Sequence, residues 1–202
     1  MSTQPELHLA GLHYQLSEHF IFNVMNTLRV LIRKDPQEAT SMLNTFSEYL
    51  RYALHKTKSF TNTVEKELEG ITFFLRLQEI RFKKKIVLES NLPPEIAYKN
   101  IPAFLLQPFT EQLLKHAIPN TENVTQLILT ATKEENTIQF VFSCHAAEKM
   151  PSTNDIYFSP KSDAELGCEE AIALGNTLYG NQFKHITQQK DHIYSIHLQI
   201  PV

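Results

Sequence analysis

The sequence predicts an α+β protein: an N-terminal antiparallel helical hairpin whose two copies form a dimeric four-helix bundle, followed by a mixed α/β layer. Three observations predict it. Apolar residues recur at helical spacing from about residue 7 to 82, broken at Asp35-Pro36 and over the polar residues 55–63. From Ile86 the pattern changes to short β-branched runs separated by polar turns. Apolar residues make up 42% of the 202, enough to bury a core in one large domain or two small ones.

The first helix is expected from about Leu7 to Ile32. Pro36 ends it, because a proline disfavours helix at the residue before it. The second runs from about Pro36 to Leu54. Its apolar stripe is Ala39, Leu43, Phe46, Leu50, Ala53 and Leu54, with Met42 and Tyr49 beside it. A short link between two long amphipathic helices makes an antiparallel hairpin. One hairpin buries two stripes poorly, so a homodimer is expected; packing on the rest of the same chain is the alternative. Residues 55–63 read as a polar link. Asn62 with Glu65, or Thr63 alone, can cap a third helix over Val64 to Phe82.

Ile86 to Glu89 reads as a strand ended by Leu92-Pro93-Pro94, and Phe104 to His116 as a helix. Gln126–Thr132 and Thr137–Ser143 read as paired strands around Glu134-Glu135-Asn136. Residues 145–165 read as a long loop holding Pro151 and Pro160, a length usually tied to function. A helix over Leu166–Leu178 is ended by Gly180, and strands over about Phe183–Gln188 and Ile193–Ile200 close the chain. The domain boundary is placed at residues 58/59.

A net charge of -3 with 20% charged residues leaves no electrostatic footprint for nucleic acid. The basic run Arg81-Phe82-Lys83-Lys84-Lys85 reads as a solvated helix end. The sequence contains no run of about 18 apolar residues, and no signal peptide is expected because residues 1–6 lack its basic and apolar regions. With only Cys144 and Cys168 there is no disulfide framework, so a reducing cytoplasm is the expected location. The two thiols are expected to be buried small hydrophobes. His145, His185, His192 and His197 form no ligand-like cluster, so no metal site is expected.

The polar residues of the first helix carry the functional signal. Gln15, His19, Asn23 and Asn26 recur at spacings of four, four and three, which places them on one face of an otherwise apolar helix. An imidazole flanked by carboxamides on such a face suggests a presented nucleophile.

Several segments, in order along nearly the whole chain, resemble the cytoplasmic part of LytS/YehU-type sensor histidine kinases. Gln15-Leu16-Ser17-Glu18-His19-Phe20-Ile21-Phe22-Asn23-Val24-Met25-Asn26 is similar to the family's Q-x-x-P-H-F-L-F-N-x-L-N. Leu50-Arg51-Tyr52-Ala53-Leu54 follows, then Glu65 to Leu68 continuing through Phe74-Leu75 to Glu79-Ile80-Arg81-Phe82. Ile101-Pro102, Leu105 to Glu111 and Leu178-Tyr179-Gly180 complete the match. The resemblance implies a dimerising histidine hairpin joined to a GHKL/Bergerat-like α/β sandwich. It implies that His19 is the phosphoacceptor, that Asn23 and Asn26 orient the imidazole or the incoming phosphate, and that a response-regulator aspartate is the exchange partner. Glu18 stands where the family has proline.

The nucleotide motifs depart from the family. E-N-A-x-K-H-G is here Glu111-Gln112-Leu113-Leu114-Lys115-His116-Ala117, and the Mg²⁺-holding asparagine is Gln112, longer by one methylene. D-N-G-x-G is Ser143-Cys144-His145-Ala146-Ala147, so a neutral hydroxyl replaces the adenine-binding aspartate. G-x-G-L-x-N is Glu165-Leu166-Gly167-Cys168-Glu169-Glu170, with one glycine kept. A carboxylate near a triphosphate opposes binding by roughly 3 kcal/mol per charge pair at about 5 Å and an effective dielectric of about 20.

His19 and Asn23 are thus the expected catalytic residues. Glu111, Gln112, Lys115, His116, Ser143 and Gly167 are the expected remnant ATP pocket. The expected function is phosphoryl transfer between His19 and a receiver aspartate with an impaired ATP site; Mg-ATP is a cofactor only if the remnant pocket binds it. An active divergent kinase and a non-catalytic module that regulates a kinase or regulator are the alternatives. Expected partners are a second copy, a response-regulator receiver domain and a sensor kinase. With no sensor segment in the chain, input is expected from a partner.

Overall fold

A computed structural model of the chain describes residues 18–55, 61–118, 124–145, 163–190 and 192–201. Gln15, the Glu18 side chain and residues 146–162 of the loop expected over 145–165 lie outside the described residues; His145 is strand and 163–165 are helix. The chain divides into two compact units: residues 1–86 with 97–107, and residues 87–96 with 108–202. The third helix therefore groups with the hairpin, a different division from the one expected at residue 58.

The first unit is helical. Helix α1 spans Glu18–Lys34 and α2 spans Pro36–His55. Asp35 makes the corner between them. Its amide donates to Leu31 O at 2.7 Å, and its carboxylate accepts the Glu38 amide at 2.9 Å, so it closes α1 and caps α2. Pro36 then takes the first helical position, where its missing N–H costs nothing. Strand β1 (Thr61–Thr63) leads into α3 (Val64–Phe82). Thr63 alone caps α3, accepting the Lys66 amide at 3.3 Å, because Asn62 points inward to Glu67. Lys83, at φ 52°, ends α3 in the left-handed region.

The expected stripe of α2 is really two stripes. Ala39, Met42, Phe46, Tyr49 and Ala53 are buried within the chain, whereas Leu43 and Leu54 are exposed. Helix α3 packs along α2, so part of the hairpin is covered by its own chain. Strand β3 (Asn100–Pro102) pairs antiparallel with β1, Asn62 opposite Ile101. The link expected over 55–63 thus ends in a strand.

The second unit is a sheet with helices on one face. Strand β2 (Lys85–Asn91) runs to a one-turn helix α4 (Pro94–Ala97). Helix α5 spans Gln107–Ala117, three residues later than expected at its start, because Phe104 has a φ of 60° and cannot be helical. Strands β4 (Val124–Glu134) and β5 (Thr137–His145) form a hairpin over Glu135-Asn136. Helix α6 (Asp163–Tyr179) ends at Gly180, φ 53°. A 3₁₀ turn leads to β6 (Lys184–Lys190) and β7 (Ile193–Pro201).

The sheet order is β2-β4-β5-β7-β6, and the pairings β4–β5, β5–β7 and β6–β7 are antiparallel. Every second residue of the central strands is buried: Leu127 and Leu129, Phe140 and Phe142, Ile196 and Leu198. Their partners in the core include Phe109, Leu113 and Leu114 of α5. All seven residues of β6, at one edge of the sheet, are exposed. Among the described residues no helix is long and apolar enough to cross a membrane.

Candidate functional site

The site residues fall in both units. In the helical unit His19 is exposed in the first turn described for α1. The next residue anchors it: the Phe20 ring lies 5.2 Å from Tyr49, edge-on, and 5.5 Å from Phe74. Such pairs prefer tilted and T-shaped geometries, so they fix the rotation of this turn of α1. The imidazole is thereby held outward while its neighbour is held inward. Asn23, one turn on, is half-buried; its side-chain nitrogen is buried and has no acceptor among the described residues. Asn26 is exposed.

In the second unit Glu111, Gln112, Lys115 and His116 lie on α5 and Gly167 on α6. Two of the expected pocket residues, Gln112 and His116, come together around a residue the sequence reading missed. Gln112 Nε2 donates to the Tyr194 hydroxyl at 3.0 Å, and the His116 ring lies 4.3 Å from the Tyr194 ring. Lys115 Nζ donates to Glu165 Oε1 at 2.8 Å. Glu165, expected to repel an anion, is therefore matched by an ammonium one helix away. The signal for Tyr194 was present: it holds an inward register position of β7, where Ile196, Leu198 and Ile200 continue the row.

Ser143 does not join this group. It pairs with Ile128 and Ser195, and strand alternation turns it to the face of the sheet opposite Phe142 and Cys144. Cys144 faces the helices instead, its thiol donating to Leu113 O at 3.7 Å. The Cys168 thiol donates to Pro108 O at 3.3 Å and ties α6 to the start of α5. Both cysteines are free and buried, as expected of small hydrophobes. Burial pushes the Cys144 thiol up to about 12. Burial also raises Cys168, with Glu111, Glu165 and Glu169 adding to it. Thiols so protonated are poor nucleophiles. His116 is held below the usual imidazole range by burial, then by Lys115, with Glu165 pulling the other way.

Among the described residues no group of three or more His, Cys, Asp or Glu could hold a metal ion. His192 sits in the turn before β7, and His197 on the strand itself. The lysines at the end of α3 border an open hollow of about 550 Å³, where Glu38 and Glu79 balance Arg76 and part of the basic run.

The chain therefore carries an exposed histidine on a helical hairpin and, in the second unit, a sheet covered by helices. A family model described as histidine kinase matches residues 7–86. The chain is 29% identical over 154 residues to the sensor histidine kinase BtsS of Escherichia coli K12, covering 76% of this chain and 27% of that protein. It is 31% identical over 131 residues to the sensor histidine kinase/phosphatase LytS of Staphylococcus aureus MRSA252, covering 64% and 22%. The chain is thus similar to LytS-type and BtsS-type sensor histidine kinases, and spans about a quarter of the length of these curated relatives.

The fold is shared with solved structures. A bacterial phosphotransferase superposes at a TM-score of 0.57 and 9% identity, with 98% of each chain covered. The nucleotide-free catalytic domain of the histidine kinase ThkA superposes at 0.50 and 11%, covering 70% of this chain and 95% of that one.

Proposed function

We propose that the chain carries a phosphoryl group on His19 and exchanges it with an aspartate of a response-regulator receiver domain, its own nucleotide unit being impaired. The engagement of the nucleotide unit's own side chains carries the reading: Gln112 and Lys115 are held by Tyr194 and Glu165, and His19 is an exposed residue of α1. A nucleotide would have to displace both interactions before its phosphates met either side chain. In the transfer, an imidazole lone pair attacks phosphorus, the P–O bond to the aspartate breaks, and the carboxylate leaves. The other ring nitrogen releases its proton to water. Positioning and charge neutralisation dominate such a step. Asn23, on the same face one turn away, is placed to steer the imidazole or an equatorial phosphoryl oxygen.

The working form is a homodimer. Phe22, Met25 and Ile32 on α1 are 65%, 53% and 63% exposed, and Leu43 and Leu54 on α2 are 52% and 56% exposed. Phe22, Met25 and Ile32 follow helical spacing, and so do Leu43 and Leu54 with half-buried Leu50 between them. A second hairpin would cover both stripes in a four-helix bundle.

Similarity to sensor histidine kinases favours a second reading, autophosphorylation from Mg-ATP. The full chain is incubated with labelled Mg-ATP and, separately, with a phosphorylated receiver domain, as wild type and as His19→Gln. Label from the receiver alone, lost in His19→Gln, is expected. Label from ATP establishes the second reading, and label from neither leaves a non-catalytic module.

A further inference from the structure

Phe104 is a buried phenylalanine in the left-handed region, at φ 60°. A bulky residue adopts that conformation only where its surroundings impose it. Here the surroundings are polar and fully enclosed. The Phe104 amide donates to Glu67 Oε1 at 3.0 Å. The same oxygen accepts the Tyr52 hydroxyl at 2.9 Å and the Asn62 amide nitrogen at 3.0 Å. Glu67 is completely buried, and the Tyr52 and Phe104 rings meet edge-on at 5.4 Å. Three elements, α2, β1 and α3, thus converge on one backbone amide.

A second contact holds the other end of the same segment. Gln107, buried and first in α5, donates from Nε2 to the Tyr49 hydroxyl at 2.7 Å. Tyr49 and Tyr52 are neighbours along α2, 6.5 Å apart between ring centroids. Tyr49 is also the ring against which Phe20 packs, one residue after His19. Apolar side chains would fill this volume without the desolvation of a carboxylate and two phenols. What the polar groups add is direction: they select one backbone conformation at residue 104 and one orientation at residue 107.

We propose that Glu67 is a positioning residue, and that it acts with Tyr52, Tyr49 and Gln107 as a latch coupling the conformation of residues 104–107 to the packing of Phe20 beside His19. In the latched state Phe104 is left-handed and Gln107 is bonded to Tyr49. Released, Phe104 relaxes to negative φ and Gln107 leaves Tyr49. Coupling of this kind is reciprocal: whatever shifts Phe20 shifts the segment, and whatever shifts the segment is felt at His19. The latch operates whatever the source of the phosphoryl group.

Residue-resolved amide exchange and imidazole NMR on the full chain test it, in wild type, Glu67→Gln, Tyr49→Phe and Phe20→Leu. Glu67→Gln and Tyr49→Phe should speed exchange at residues 104–107 by about tenfold or more, leave Leu75 and Phe140 within about twofold, and move the His19 ring resonances. Phe20→Leu should speed the same four amides, and its effect combined with Tyr49→Phe should fall short of the product of the two. Uniform acceleration across the helical unit would reduce the network to ordinary stability and overturn the proposal. So would acceleration at 104–107 with Phe20→Leu silent there and His19 unmoved. If Glu67→Gln does not fold, Tyr49→Phe, which removes one oxygen, decides.

Discussion

Tyr194 gives the second unit its arrangement of polar groups: its hydroxyl accepts from Gln112 and its ring covers His116. Burial keeps the phenol above its ordinary range, so it stays protonated. The same environment favours neutral His116. With the folded value depressed, the unfolded chain takes up the proton first as pH falls. The stability that depends on neutral His116 is therefore complete above about pH 6.5 and is lost below it. His116→Gln should shrink the difference in urea unfolding free energy between about pH 7.5 and 5.5; an unchanged difference would show that His116 does not contribute. At this scale the sequence sets Gln112, Lys115 and His116 on adjoining positions by helical spacing alone. It misplaced Ser143, because a motif aligned by one residue on a strand lands on the opposite face. Glu67 and Tyr194 were legible in principle, each a polar residue on an apolar stripe.

At the scale of elements, α2 and α3 meet where Gly70 faces Tyr52. A β-carbon added at Gly70 would overlap the Tyr52 ring, which is already held by Glu67 and Phe104. Gly70→Ala should cost about 1–3 kcal/mol despite its better helix propensity, read as a lowered urea midpoint with an unchanged slope. A gain in stability would mean that the two helices can move apart freely. The long elements were legible: α2 and α3 follow from a proline corner, a threonine cap and unbroken periodicity. The central parts of β4, β5 and β7 follow from alternation, while β4 extends beyond the expected span at both ends and β5 and β7 at their last residues. Strands β1 and β3 were not, since three residues carry no period and β3 ends in proline. The start of α5 was misread because Leu105-Leu106 continue its apolar pattern while Phe104 turns the backbone the wrong way.

For the molecule as a whole, the uncovered stripes on α1 and α2 bear on assembly. Leu43→Glu with Met25→Glu should shift the chain from dimer to monomer in sedimentation equilibrium with its circular dichroism unchanged; a wild type that is already monomeric would remove the bundle. The order of a helical part and a sheet part was legible from the change of period at Ile86. The grouping of α3 with the hairpin was not, because periodicity shows that a helix has an apolar face but not which neighbour covers it. The fully exposed ribbon β6 has one more consequence. A sheet edge offers unpaired backbone groups to any passing extended chain. This one begins and ends with Lys184 and Lys190 and carries Thr187, Gln188 and Gln189 between them. A second copy lining up antiparallel on it would bring ammonium ends together at both corners. This border of the sheet thus repels its own likeness.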